Sequence, residues 1–498
     1  MDFLTHPLST MIFLPGVVGL LLLLVPSRAV SLHRWVSLVA SLVTLVLAAV
    51  VLDRFDPNQG GFQLTESASW LPSLGISYRV EVDGISLLLV LLTALLQPVV
   101  FLSSWGSIKD KVKGYVVAML LLETGVLGAF LATDMFLFYV FWELMLVPMY
   151  FIIGVWGGER RIYAAVKFVL FTLAGSLLML VAILYMAFQY KAQFGALSFA
   201  YSDWLVLRLP MAEGFWHSPQ MLAFAAFALA FAIKVPVWPL HTWLPDAHTE
   251  APTGGSIILA GVLLKLGTYG LLRFNRALFP EAWAKAQGLF IALAVIAIVY
   301  GALVSWAQKD MKRLVAFSSV SHMGFIILGL FAGGVTATQG ALLQMINHGL
   351  STGALFLLVG VVYDRRHTRM IEDYGGLAAV MPVYTGTFLL ATLASIGLPG
   401  LNGFVGEFLI LLGTYQTRPL AAALGATGVI LGAVYMLSLV QRVFWNALTH
   451  EENRSLTDMT WRELASFAPL AVFMVWIGVH PTTFLSLSEK AVQKLIGG

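Results

Sequence analysis

The sequence of 498 residues predicts an all-α protein that crosses a membrane many times. Three observations predict it. Charged residues make up 11% of the chain, against ~25% in soluble domains. Mean hydropathy is +0.86. Apolar stretches of about 20 residues, enough to span a bilayer, run nearly end to end. Length alone would fit two or three soluble domains, but charge-poor segments throughout read as one membrane domain. The net charge of +3 is too small to imply nucleic acid, and no basic run carries interleaved aromatics. The chain has no cysteine, which excludes disulfides, thiolate-held iron–sulfur clusters and Cys-ligated metals.

Fourteen spanning segments are expected, centred near residues 17, 42, 93, 122, 145, 175, 228, 263, 295, 321, 349, 398, 430 and 473. The first lies in MDFLTHPLSTMIFLPGVVGLLLLLVP. It lacks a basic start and a small-residue cleavage site, so it reads as a retained helix and not a signal peptide. The seventh is broken at KVPVWPLHTWLP and the twelfth at IGLPGLNGFVGEF. Basic residues fall in odd-numbered connections: Arg28 and Arg34; Lys109, Lys111 and Lys113; Arg160 and Arg161; Lys309, Lys312 and Arg313; Arg365, Arg366 and Arg369. The positive-inside rule places those connections in the cytoplasm and both termini outside. Arg273, Arg276 and Lys285, after the eighth segment, break the pattern.

Six ionisable residues lie within apolar stretches, where a charge costs at least a few kcal/mol and usually serves function. Glu143 sits in FLFYVFWELMLVPMYF, five residues before Pro148, which should kink the helix. Lys234 precedes Pro236 and Pro239, which cannot donate to the carbonyls of Ala232 and Val235. Two freed carbonyls are therefore expected beside the lysine. Lys265 lies about halfway through the eighth segment, among small residues that suit close packing. His322 and His348 sit among hydroxyls (Ser318, Ser319, Ser321, Ser351, Thr352), which suits a hydrated proton path. Core histidines bonded to Ser or Asn, or a pair of haem ligands, are the competing readings. Glu407 follows Gly400, Gly403 and Gly406 at the second break. His241, Asp246, His248 and Glu250 lack the spacing of a metal motif and read as polar residues at a loop or cavity mouth.

Lys234 and Glu407 are 173 residues apart, and Glu143 and His322 are 179 apart. Each step crosses five segments, an odd number, so a repeat would be inverted in the membrane, as in many transporters. Oppositely charged buried groups also suit proton transfer. Burial disfavours the charged form of either. A partner ~4 Å away restores about 4 kcal/mol at an effective dielectric of ~20, and doubling the distance releases about half of that.

The motifs FYVFWELMLVPMYFIIGVWGG, KVPVWPLHTWLPDAHTEAPTGGSIILAGVLLKLG, SSVSHMGF and NHGLSTGALFLLVGVVYDRRHTR resemble the M-type (chain 4-type) antiporter-like subunits of proton-pumping NADH–quinone oxidoreductase, respiratory complex I. The resemblance covers most of the chain and is weakest in the first ~80 and last ~60 residues. Glu407 points to the M type, because L-type and N-type relatives carry lysine there. The resemblance implies fourteen transmembrane helices with two inverted five-helix repeats. The divisions would be residues 1–110 (helices 1–3), 111–276 (helices 4–8), 277–445 (helices 9–13) and 446–498. It implies that Glu143 and Lys234 form an input pair, and that Lys265 connects through His322 and His348 to Glu407, the output group. It implies no flavin, iron–sulfur cluster or quinone in this chain, those cofactors belonging to partner subunits. The partners would include the L-type and N-type subunits, within a lipid bilayer, most commonly a bacterial inner membrane. A Mrp-type Na⁺/H⁺ antiporter subunit, which shares the fold, is the alternative.

Overall fold

Long helices dominate the computed structural model, which describes residues 6–212 and 214–497. Met1 to Thr5, part of the expected first segment, lie outside the described residues. In lipid every backbone N–H and C=O must be satisfied within the chain, so apolar runs of this length become helices. The helices are α1 Pro7–Leu22, α2 Val30–Arg54, α3 Gly84–Ser107, α4 Val112–Leu131, α5 Met135–Trp156, α6 Arg161–Phe194, α7 Pro219–Lys234, α8 Trp243–Glu250, α9 Thr253–Leu278, α10 Pro280–Trp306, α11 Met311–Ala332, α12 Val335–Arg366, α13 Pro382–Ser395, α14 Asn402–Thr417, α15 Pro419–Trp445, α16 Trp461–Val479 and α17 Thr482–Gly497. Among the described residues eleven helices are long and apolar enough to cross a membrane. The other three expected centres fall on shorter helices (α1 and α7) and on the break between α13 and α14.

Acidic caps set several starts. Asp83 accepts from the amides of Ile85 and Ser86, Asp134 from Phe136 and Leu137, and Asp310 from Lys312 and Arg313. These caps satisfy N–H groups that a helix start leaves orphaned. Regular helix in α5 is interrupted at Met145, where Pro148 has removed a donor one turn on.

The all-α expectation needs one addition. β1 (Gln63–Leu71) and β2 (Ile76–Val82) form an antiparallel hairpin before α3. Its second strand, ISYRVEV, buries Ile76, Val80 and Val82 against the bundle. Two of the three odd cations after the eighth segment are placed otherwise than expected. Arg273 and Arg276 lie within α9, not in a connection. Arg273 is buried, pairs with Asp83 at 2.5 Å, and stacks over Phe62 and Tyr269. A neutralised, packed arginine does not report on loop orientation. Lys312, expected in a connection, is likewise a buried helical residue whose ammonium donates to the Ala251 carbonyl.

Two matching straps tie the chain together. Met135 donates to the Phe199 carbonyl and Tyr201 to that of Thr133, both at 2.8 Å. Met311 donates to the Arg369 carbonyl at 2.9 Å and Ile371 to that of Lys309 at 2.8 Å. Each strap forms an isolated bridge at a capping aspartate, Asp134 or Asp310.

Candidate proton-transfer site

The helix that carries Lys265 is locally widened to a π-turn over Leu259–Leu263, a feature common at functional sites. The Lys265 ammonium donates to the Ala260 carbonyl within that turn. It also lies 2.6 Å from His348 Nδ1. The rings of His348 and His322 are 5.8 Å apart. His322 Nδ1 is 3.0 Å from Glu407 Oε1, and its Nε2 is 3.3 Å from Ser395 Oγ. Lys265, His348, His322 and Glu407 are all buried. Four residues from α9, α12, α11 and α14 thus meet in one row. The cavity beside the two histidines measures about 10 Å³, room for about one water.

Glu143 and Lys234 do not make an ion pair within 4.0 Å, although they lie in electrostatic range of each other. Lys234 is buried, and its Nζ lies 5.3 Å from the ring centres of both Trp142 and Phe168. Two aromatic faces therefore hold the ammonium, an attraction worth ~2 kcal/mol each when desolvated. Of the two carbonyls expected free, that of Ala232 is not: it accepts from the Val237 amide at 2.7 Å. The peptides Val235–Pro236 and Trp238–Pro239 are cis. Glu143 is only partly buried, with Tyr139 one turn before it. It shares a helix stripe with the exposed Val140, Val147 and Phe151, so it borders a lateral face of the chain.

The loop-mouth reading fails for His248. α8 is a helix, and His248 is fully buried, stacked on Phe356 with ring centres 4.7 Å apart. Neither ring nitrogen has a partner, and both Lys265 and Lys312 lie in electrostatic range. Its burial depends on the aromatic ring of a helix about 100 residues away, which spacing within HTWLPDAHTE could not reveal. Asp246 pairs with Lys167 at 2.7 Å, and Glu250 accepts from the Arg160 amide at 2.9 Å. A cavity of about 160 Å³, lined by Glu250, Lys312, Asp364 and Arg369, opens near this corner. Gln344, whose Nε2 donates to Glu407 Oε1 at 3.1 Å, was also not singled out by the sequence.

Residues 132–432 match the family model for the membrane subunits of NADH:quinone oxidoreductases and Mrp antiporters. NADH-quinone oxidoreductase subunit M of Rhodobacter capsulatus is 46% identical, over 93% of this chain and 90% of its own. NADH-ubiquinone oxidoreductase chain 4 of Marchantia polymorpha is 41% identical, over 98% of this chain and 97% of its own. A chain of the respiratory complex I from Thermus thermophilus with bound NADH superposes with a TM-score of 0.86 at 36% identity, covering 99% of this chain and 100% of that one. A chain of the Mrp complex from Dietzia sp. DQ12-45-1b gives 0.86 at 20% identity over 100% and 98%, a likeness of fold alone. The match in sequence and fold runs across both helix breaks and the buried row, and the chain belongs to the antiporter-like membrane subunits of NADH–quinone oxidoreductase, in the subunit M group.

Proposed function

We propose that this chain moves protons through Lys265, His348, His322 and Glu407, fed by Glu143 and Lys234, while NADH is oxidised in partner subunits. The observation that carries this reading is the buried row from Lys265 to Glu407, whose links of 2.6 Å and 3.0 Å flank a gap the size of one water. Every member can gain and lose a proton, and each neighbour can accept it. Flavin, iron–sulfur clusters and quinone belong to other subunits in this reading. The aromatic box lets Lys234 exist as an ammonium without a touching carboxylate. Glu143 then acts at a distance, and its approach or withdrawal changes the balance.

Fourteen spans in two inverted repeats, residues 111–276 and 277–445, complete the proposal. The matching straps at Asp134 and Asp310 support it, because they sit at opposite ends of the bundle under the positive-inside assignment. Glu143 on a lateral face supports a neighbouring chain there, since a carboxylate facing lipid is costly. L-type and N-type subunits are the proposed neighbours.

The test uses the intact complex in inverted membrane vesicles. Lys234→Ala and Lys265→Ala are expected to leave the complex assembled and to abolish proton uptake per NADH oxidised. An unchanged proton-to-NADH ratio in either variant refutes the relay. Proton movement driven by sodium without NADH would instead favour the Mrp-type activity suggested by the shared fold.

A further inference from the structure

Around the end of the proton row, uncharged side chains form a closed knot. Asn347 donates from Nδ2 to the Asn402 carbonyl at 2.7 Å, and Asn402 donates from Nδ2 to the Asn347 carbonyl at 3.3 Å. Each asparagine thus holds the other's backbone. Asn347 Nδ2 also reaches Gln344 Oε1 at 3.1 Å, and Gln344 bonds Glu407. Ser351 and Asn402 exchange bonds of 3.1 Å and 3.3 Å. All four residues are buried.

The position of this knot in the chain gives it meaning. Asn402 opens α14, the half-helix that carries Glu407, and no side chain caps that helix. The segment before it contains Gly397 (φ +76°) and Gly400 (φ +94°), left-handed positions that favour glycine. Close backbone packing against Ala394 and Gly478 seats this link, and the asparagine clasp adds the side-chain hydrogen bonds that tie the start of α14 to α12. Asn347 is next to His348 on α12. The clasp therefore joins the output carboxylate's helix to the backbone beside the relay histidine. Asn347 Oδ1 and His348 Nε2, both buried and unbonded, also belong to residues lining the one-water cavity next to His322.

We propose that Asn347 and Asn402 are positioning residues of the relay, their clasp holding α14 where His322 and Glu407 can exchange a proton. This rests on the relay reading above. A mere brace would lower the amount of assembled complex and leave the proton-to-NADH ratio untouched. A positioning clasp changes the ratio per assembled complex, and moves the pH profile of turnover as the His322–Glu407 contact loosens.

The experiment compares Asn347→Ala, Asn402→Ala and the double variant in the intact complex, normalised to assembled enzyme on native gels. Proton uptake per NADH is read across a range of pH. Asn347→Ala removes two bonds and Asn402→Ala three, so each is expected to lower the ratio at least about fivefold, what the loss of even one buried hydrogen bond gives, and to shift the pH profile. Each single variant leaves the other's bond to the backbone in place, so the double variant, which removes both, should be at least as impaired as the worse single. An unchanged ratio with an unshifted profile in Asn402→Ala, or a double variant that pumps better than either single, overturns the assignment. Glu407→Gln separates the two readings. If it pumps normally, the relay itself fails. If it is inactive while Asn402→Ala pumps normally, only the clasp fails. Should the alanine variants not assemble, Ser351→Ala, which removes two bonds of Asn402, is measured in the same way. A wild-type ratio and profile there also overturn the proposal.

Discussion

Replacing Arg273 by methionine leaves Asp83 as an unpaired carboxylate in the bundle. Both side chains are nearly inaccessible, at 6% and 4%, and their atoms are 2.5 Å apart, so solvent screening is slight. Two charges with centres ~4 Å apart attract by about 4 kcal/mol at an effective dielectric of ~20. Breaking a buried pair from one side is observed to cost about 3–5 kcal/mol, in agreement. Asp83 also caps α3 through Oδ1, and the guanidinium covers two aromatic rings, so the variant loses packing as well as charge. The expected outcome is a marked fall in assembled complex and in its half-life on mild heating. Asp83→Asn combined with Arg273→Met should recover part of the loss, because the amide oxygen still caps the helix and no charge stays buried. Thermal inactivation of native-gel-purified complex measures both. If Arg273→Met is as heat-stable as the unaltered protein, or the double variant is less stable than Arg273→Met, the reasoning is wrong.

Two further outcomes concern the break and the hairpin. A Cβ at Gly403 would stand 2.0 Å from the Ala394 carbonyl, a backbone atom that cannot yield, so Gly403→Ala should displace α14 and sharply reduce pumping, whereas Gly432→Ala, with open space around it, should be silent in the same vesicle assay. In the hairpin, burial pushes the Glu81 carboxyl up, but bonds from Arg79, Thr65 and Thr133 together outweigh it and hold the group below its ordinary value of 4.5. A depressed carboxyl stabilises above its unfolded pKa and loses that contribution as pH falls through the folded value, so the hairpin's protection against hydrogen exchange, relative to the intrinsic amide rate at each pH, should fall below about pH 4.5, and Glu81→Gln should remove the acid dependence.

The sequence exposed the charges well and their partners poorly. Lys234, Lys265, His322, His348 and Glu407 stood out because each is polar within a run of apolar residues, and burial follows from that pattern. The helix breaks were equally legible, since Pro236, Pro239 and Pro399 announce them. What escaped was whatever depends on two distant segments meeting. The pairing of Arg273 with Asp83 spans 190 residues, and without it the arginine reads as a loop cation. His248 looked like a loop residue for the same reason. The aromatic box of Lys234 was hidden because Trp142 and Phe168 resemble any other apolar helix residue. Gln344, Asn347 and Asn402 carry no charge and so raised no alarm, yet they bind the end of the row together.

The depth of the buried row also decides where electrical work is done. Lys265 lies twelve residues after Thr253 in α9, and His322 eleven after Met311 in α11. At 1.5 Å per residue each stands some 17 Å from its helix start, near the middle of a ~30 Å hydrocarbon layer. In the proposed relay a proton passing from Lys265 to His322 therefore moves along the plane of the membrane and crosses little of its potential. The ~2.3 kcal/mol per 100 mV is met on the approaches to the row and the exits from it. Damage within the row should slow turnover equally at any voltage, and damage to the approaches should be felt most in an energised membrane.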